Sequence, residues 1–559
     1  MAWWHDAVAY QIYPRSFADS NGDGIGDLRG VLSKVDYLAA LGVDVVWLSP
    51  VYRSPMDDNG YDIADYRDVD PMFGTLADLD ELIAALHARG IRLVMDLVVN
   101  HTSDEHPWFV ESRDPASAKR DWYIWRPARD GFEPGTPGAE PTNAGSGFGG
   151  PGWEYDPARG EYYLHLFTRR QPDLNWENPE VRAAIYDMMR WWVDRGVDGF
   201  RMDVINLISK TYPAVDGPAG PDGLCYDVNM VANGPRLHEF LAEMNREVGI
   251  TERDLFTVGE MAGVDAELVR SYTAESAREL GMVITFEHVQ VDQASAVKWD
   301  LAELKLSKLK SVLASYQYAL AEEGWNALYL GNHDQPRSVS RFGDDSEQFR
   351  QASAKTLATT LHLLKGTPFL YQGDEIGMTN AGFTSIDQYD DVESVHFYEQ
   401  ALTMGLPEAA VLFAIGVKSR DNARTPMCWD ASPGAGFTTG KPWLQINANH
   451  DRINVVEAMS DPNSVLQHYR RLISMRHELA VVRDGVFELL LADDEELFCF
   501  TRTLGSERLL VMANWSTGSV PWPHGVPDIS GARLLLGTHP DPGDVLAGWE
   551  SRVYALPVE

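Results

Sequence analysis

The chain predicts an α/β fold, a (β/α)8 TIM barrel with an inserted small domain after strand 3 and a C-terminal antiparallel β-domain. Three observations carry that expectation. Short apolar runs alternate with amphipathic segments at the interval of βα units. Eight such runs can be marked, at Ala9, Val43, Ile91, Phe200, Phe256, Ile284, Leu328 and Phe369, the number a closed barrel needs. Three carboxylates, Asp203, Glu260 and Asp334, follow the ends of three of these runs. A barrel aims residues so placed into one cavity at its C-terminal face.

The elements follow in order. Ala9–Tyr13 reads as a short strand. Leu28, Val31, Leu32, Val35, Leu38 and Leu41 keep a helical period, and Gly42 ends it. Val43–Leu48, apolar apart from Asp44, suits a strand buried on both faces. Leu76–His87 is a second helix, and Ile91–Asn100 a third strand. From His101 to Gln171 the rhythm gives way to clustered Gly, Pro and aromatic residues, too long for an ordinary loop. The helices Pro179–Arg195 and Pro235–Val248 and the strands through Phe200–Asp203 and Phe256–Glu260 restore the pattern. Met282–Phe286, Ala327–Leu330 and Thr367–Tyr371 complete it. Five short strand-like segments between Gly485 and Leu556 then suggest antiparallel structure. The expected domains are therefore residues 1–101 and 173–478 for the barrel, 102–172 for the insertion and 479–559 for a C-terminal β-sandwich.

Composition narrows the partners. The 559 residues carry 83 Asp and Glu against 47 Lys and Arg, a net charge of −36. Such a surface repels nucleic acid and anionic lipid, so neither is an expected partner, and a small neutral substrate suits it. The three cysteines, Cys225, Cys428 and Cys499, are too few for a disulfide framework and lack metal-ligand spacing. There is no apolar run of membrane-spanning length and no basic, apolar leader, so a cytoplasmic protein, monomeric or weakly homo-oligomeric, is the expectation.

Four ordered segments carry a resemblance. Asp96–Leu97–Val98–Val99–Asn100–His101, Gly199–Phe200–Arg201–Met202–Asp203, Gly259–Glu260 and Asn332–His333–Asp334 resemble the signature regions of the α-amylase superfamily of glycoside hydrolases (family 13). Gln171–Pro172–Asp173–Leu174–Asn175 resembles the marker of its oligo-1,6-glucosidase and α-glucosidase branch. The resemblance implies that Asp203 is a nucleophile and Glu260 a general acid and base, with retention of configuration and carboxylates about 5 Å apart. It implies that Asp334 holds sugar hydroxyls and that Arg201 orients Asp203. It makes His101 and His333 donors to the sugar, and Tyr61 and Phe167 surfaces for its face. Asp62 and Arg420 would pair at the far end of the pocket, giving an exo cut. Gln171 falls in the substrate-binding set, while Asp96 either braces Arg201 or touches substrate. Val204, directly after the nucleophile, resembles the residue that accompanies α-1,6 preference.

Asp19–Ser20–Asn21–Gly22–Asp23–Gly24–Ile25–Gly26–Asp27 matches the start of a calcium loop, although position 30 is glycine rather than the closing glutamate. The resemblance implies a structural calcium held by Asp19, Asn21, Asp23, Asp27 and the Ile25 carbonyl, with magnesium as the substitute. No organic cofactor is expected. Three rival activities remain: a sucrose isomerase or other glucosyltransferase, an α-1,4-preferring or broad α-glucosidase, and a non-catalytic sugar-binding relative.

Overall fold

The computed structural model describes residues 2–211, 215–220, 222–539 and 543–557. Its central sheet has eight parallel strands: β1 (Ala9–Ile12), β2 (Val45–Leu48), β3 (Arg92–Val98), β4 (Gly199–Asp203), β5 (Phe256–Glu260), β6 (Met282–Ile284), β7 (Ala327–Leu328) and β8 (Thr367–Tyr371). The hydrogen-bonded order is β6-β5-β4-β3-β2-β1-β8-β7. A single parallel bridge, Val283 to Asn326, joins the remaining edges and closes the barrel. Strands β2, β4, β5 and β8 are buried along their whole length, as strands covered on both faces of a parallel sheet must be. At Gly199 a side chain would lie 2.0 Å from the Phe256 carbonyl, so only glycine lets β4 and β5 approach there.

Local signals set the surrounding helices. Leu76–His87 starts on a reciprocal capping box between Thr75 and Asp78. Pro179–Arg195 starts on an Asn178 cap with proline in its first turn and stops at left-handed Gly196. The predicted helix Leu28–Leu41 is split into Leu28–Leu32 and Val35–Leu41. Ser33 explains the break, because its hydroxyl donates to the Gly30 carbonyl at 2.6 Å and competes with the helix ladder.

Between β3 and β4 a three-stranded antiparallel sheet is built from Trp125–Arg126, Trp153–Asp156 and Glu161–Leu164. After β8 come two helices, Val392–Thr403 and Glu408–Lys418, packed through Tyr389, Ala401, Val411 and Ile415. They deliver Arg420 to the barrel mouth. At the C-terminus lies a five-stranded antiparallel sheet: β9 (Val486–Leu490), β10 (Leu497–Leu504), β11 (Glu507–Asn514), β12 (Arg533–Gly537) and β13 (Ser551–Ala555). A separate two-stranded pair, Val520–Pro521 with Val545–Leu546, accompanies it. Among the described residues no helix is long and apolar enough to cross a membrane.

Candidate active site

Asp203 is the last residue of β4 and Glu260 the last of β5, so adjacent strands end on carboxylates. Asp334 follows β7. All three line one cavity of about 530 Å³ at the C-terminal ends of the barrel strands, with Tyr61, His101, Phe167, Val204 and Arg420.

Arg201 lies beneath the acids. Two residues before Asp203, it shares that residue's face of the strand. One of its Nη atoms donates to Asp96 at 2.8 Å and to Asp203 at 2.6 Å, and the other lies 2.6 Å from Glu260. Asp96 is fully buried and also accepts from Trp47 and Tyr61, each at 3.0 Å, so it braces the arginine from behind. Three carboxylates thus share one guanidinium. Burial pushes Glu260 up to about 7, with Arg201 opposing and Asp203 and Asp334 reinforcing. Burial likewise lifts Asp203 to about 7, against Arg201 and with Asp96 and Asp334. Arg201 orients the nucleophile candidate but does not by itself keep it in the ordinary carboxylate range.

Asp334 behaves oppositely. Burial penalises its charge, but Arg420, Arg424 and Arg201 outweigh that and hold it well below the usual range. Burial also drives His333 down to about 3, so the imidazole is neutral and the arginines supply the stabilising charge. Arg420 donates to Asp334 at 3.2 Å and Arg424 at 2.9 Å.

The expected Asp62–Arg420 pair is not built. Arg420 contacts Asp58 at 3.2 Å and Asp391 at 2.6 Å. Asp62 instead accepts from the Asp57 and Asp58 amides and the Ser54 hydroxyl, folding the loop that presents Asp58. Asp58 lines the cavity, and Asp62 does not appear on its wall. Three other expected contacts, Arg201, His333 and Gln171, are completely buried behind the wall. Gln171 donates to Asp58 at 3.2 Å, and His333 stacks on Tyr61 at 5.1 Å. His101 reaches the wall with its Nε2 3.1 Å from the Tyr61 carbonyl. Phe148, not singled out in the sequence, stands 5.6 Å from Phe167 and 5.0 Å from the Arg420 guanidinium.

Outside this cavity's lining, the loop Asp19–Asp27 folds on Asx turns. Asp19 accepts from the Asn21, Gly22 and Gly24 amides, Asn21 from Asp23, and Asp23 from Ile25. Its donors are all hard oxygens, the set calcium takes. Among the described residues no three His, Cys, Asp or Glu side chains are grouped to hold a metal by themselves. The Asn21 amide and Ile25 carbonyl would have to complete any shell.

A barrel with paired acids at adjacent strand ends defines the glycosidase class. The chain belongs to the α-amylase family, whose catalytic-domain model matches residues 11–485. An oligo-1,6-glucosidase of Halalkalibacterium halodurans is 54% identical over 516 residues, 92% of this chain and 90% of the relative. A mutant trehalose-6-phosphate hydrolase of Bacillus licheniformis superposes with a TM-score of 0.94 at 44% identity, covering 100% of each chain. An isomaltulose synthase of Klebsiella sp. LX3 superposes with a TM-score of 0.94 at 39% identity, covering 99% of each.

Proposed function

We propose that this protein is a retaining, exo-acting α-glucosidase. It releases α-glucose from the non-reducing ends of short oligosaccharides, preferring α-1,6 links as in isomaltose and panose, with some transfer to sugar hydroxyls. The observation that carries the exo reading is the Arg420 contact set. Its guanidinium meets Asp58, Asp334 and Asp391 at one end of the cavity, and charged groups so tied leave room for one terminal glucose beyond the cut bond.

Asp203 attacks the anomeric carbon as Glu260 gives its proton to the departing oxygen. Water then attacks the glucosyl-enzyme while Glu260 takes back a proton, and two inversions retain the α configuration. Arg201 supports this division of labour, since three buried carboxylates around one cation retain a shared proton near neutrality. The resemblance assigns that proton to Glu260. Asp334, kept ionised, accepts hydroxyls of the bound sugar.

The cavity charge supports neutral substrates. Among the described residues, each lysine and arginine on its wall has a carboxylate partner. Lys210 pairs with Asp173 at 2.9 Å, Lys298 with Glu393 at 2.5 Å, and Arg341 and Lys418 with Asp292 at 2.8 and 2.7 Å. Arg420 pairs with Asp391. A phosphorylated disaccharide would find no free cation. We further propose a structural calcium in the Asp19–Asp27 loop.

The test is to give the purified protein isomaltose, maltose, sucrose and trehalose 6-phosphate separately, following products by NMR. Glucose released fastest from isomaltose supports the proposal. Rearranged disaccharide as the main product from sucrose would make the protein a transferase, and preference for the phosphorylated sugar would overturn the charge argument.

A further inference from the structure

We propose that the seam between the barrel and the C-terminal sheet holds a binding site for a small inorganic anion, a halide or oxyanion. The seam forms where helix Arg350–His362 and helix Val465–Glu478 meet the C-terminal sheet. Thr356 donates to the Trp549 carbonyl at 2.7 Å across it. A closed-in cavity of about 30 Å³ lies there, lined by Lys355, Asn463, Ser464, His468, Arg471 and Thr538. That space takes one small ion or two or three waters.

Lys355 is the telling residue. It is 7% exposed, and among the described residues its ammonium makes no hydrogen bond or ion pair. Its stem is covered while its ammonium is left without a protein partner at the cavity, whereas lysines so enclosed are normally paired. Its charged neighbours are of both signs. Burial lowers its affinity for the proton most, and among the described residues Asp461 attracts the charge while Arg471 and Arg350 repel it. Arg350 spends its hydrogen bonds on the Ile376 and Gly377 carbonyls, and Arg471 donates to the Pro462 carbonyl, so neither pairs with a carboxylate among the described residues. This is a local excess of positive charge in a chain of net charge −36.

A second feature points the same way. Ser464 caps the 14-residue helix Val465–Glu478, so the positive end of that helix opens at the cavity through Asn463 and Ser464. First-turn amides have no partner within their own helix and favour an anion. His468 is pushed down to about 3 by burial and by Lys355 and Arg471, so it stays neutral and adds no competing charge. An anion here would neutralise Lys355 and Arg471 together and fasten the C-terminal sheet to the barrel.

The experiment measures Tm at constant ionic strength while gluconate is replaced stepwise by chloride, sulfate or phosphate at millimolar levels. The expected result is a saturable rise of about 2 °C or more with at least one anion, lost in Lys355→Met. In gluconate alone, Lys355→Met should be at least as stable as the parent, because an enclosed ammonium without a protein partner has gone. Arg471→Gln, on a more exposed side chain, should weaken the anion response without abolishing folding. A parent Tm indifferent to all three anions would overturn the site. So would an equal rise in parent and variants, the mark of a general salt effect.

Discussion

The backbone amide of Val204 donates to Glu260 Oε2 across 3.3 Å. Val204 does so from φ 36°, a left-handed conformation that costs a β-branched residue about 1–3 kcal/mol. The strain has a geometric source. Asp203 ends β4, and the chain must turn at once into Ile205–Leu207, leaving Val204 on the cavity wall beside both acids. Val204→Thr keeps the shape and the strain but puts a hydroxyl where the leaving sugar approaches. The ratio of kcat/KM for isomaltose over maltose should fall about tenfold, with Tm nearly unchanged. A constant ratio would remove Val204 from the specificity argument.

Glu260→Gln should lower kcat by about 10²–10⁴-fold, the usual scale for a lost proton donor. Its stability effect has a defined sign. The folded carboxyl sits at about 7, above its ordinary 4.5. Its contribution is therefore full below the ordinary value and is lost as pH rises through about 7. Glutamine never ionises, so the Tm of the variant relative to the parent should improve between about pH 5 and pH 8. Parent kcat/KM should decline above about pH 7 as the acid loses its proton. A Tm difference that is flat or reversed across that range would contradict the raised value.

Asp58 and Asp62 separate by what they disturb. Asp58→Asn removes charge from the closed end of the cavity and should raise KM for isomaltose about tenfold with little change in Tm. Asp62→Ala strips the acceptor from two amides and a hydroxyl, each costing about 1–3 kcal/mol if left unpaired, so Tm should fall by several degrees. The reverse pattern would restore Asp62 as the sugar ligand.

Calcium in the Asp19–Asp27 loop predicts a chelator-sensitive Tm that millimolar calcium restores. Asp19→Ala should abolish the response, since Asp19 anchors three amides of the loop and is held below the usual carboxylate range despite its burial. Metal analysis showing no calcium, with Tm unmoved by chelator, would dismiss the ion.

Much of the barrel was readable because strands such as Val45–Leu48 are short apolar runs and helices such as Leu76–His87 and Pro179–Arg195 keep their own period and caps. The acids were readable because a carboxylate directly after a buried strand is a local pattern. Asp58 was not, because Asp57, Asp58 and Asp62 crowd one loop and only its folded path decides which meets Arg420. The insertion's hairpin was missed although Asp156–Pro157–Ala158–Arg159–Gly160 is a turn signal between Trp153–Asp156 and Glu161–Leu164. The helices Val392–Thr403 and Glu408–Lys418 were missed for another reason. Both expose apolar residues, Leu402 in the first and Phe413 in the second, which blurs the periodicity.

The central claim is that Asp203 attacks the sugar. The most direct measurement is to incubate the protein with a fluorinated α-glucosyl fluoride that forms a long-lived glycosyl-enzyme, then digest it and locate the label by mass spectrometry. The account predicts one hexosyl adduct on the peptide containing Asp203. An adduct on Glu260 or Asp334, or turnover with inverted configuration and no adduct, would contradict it.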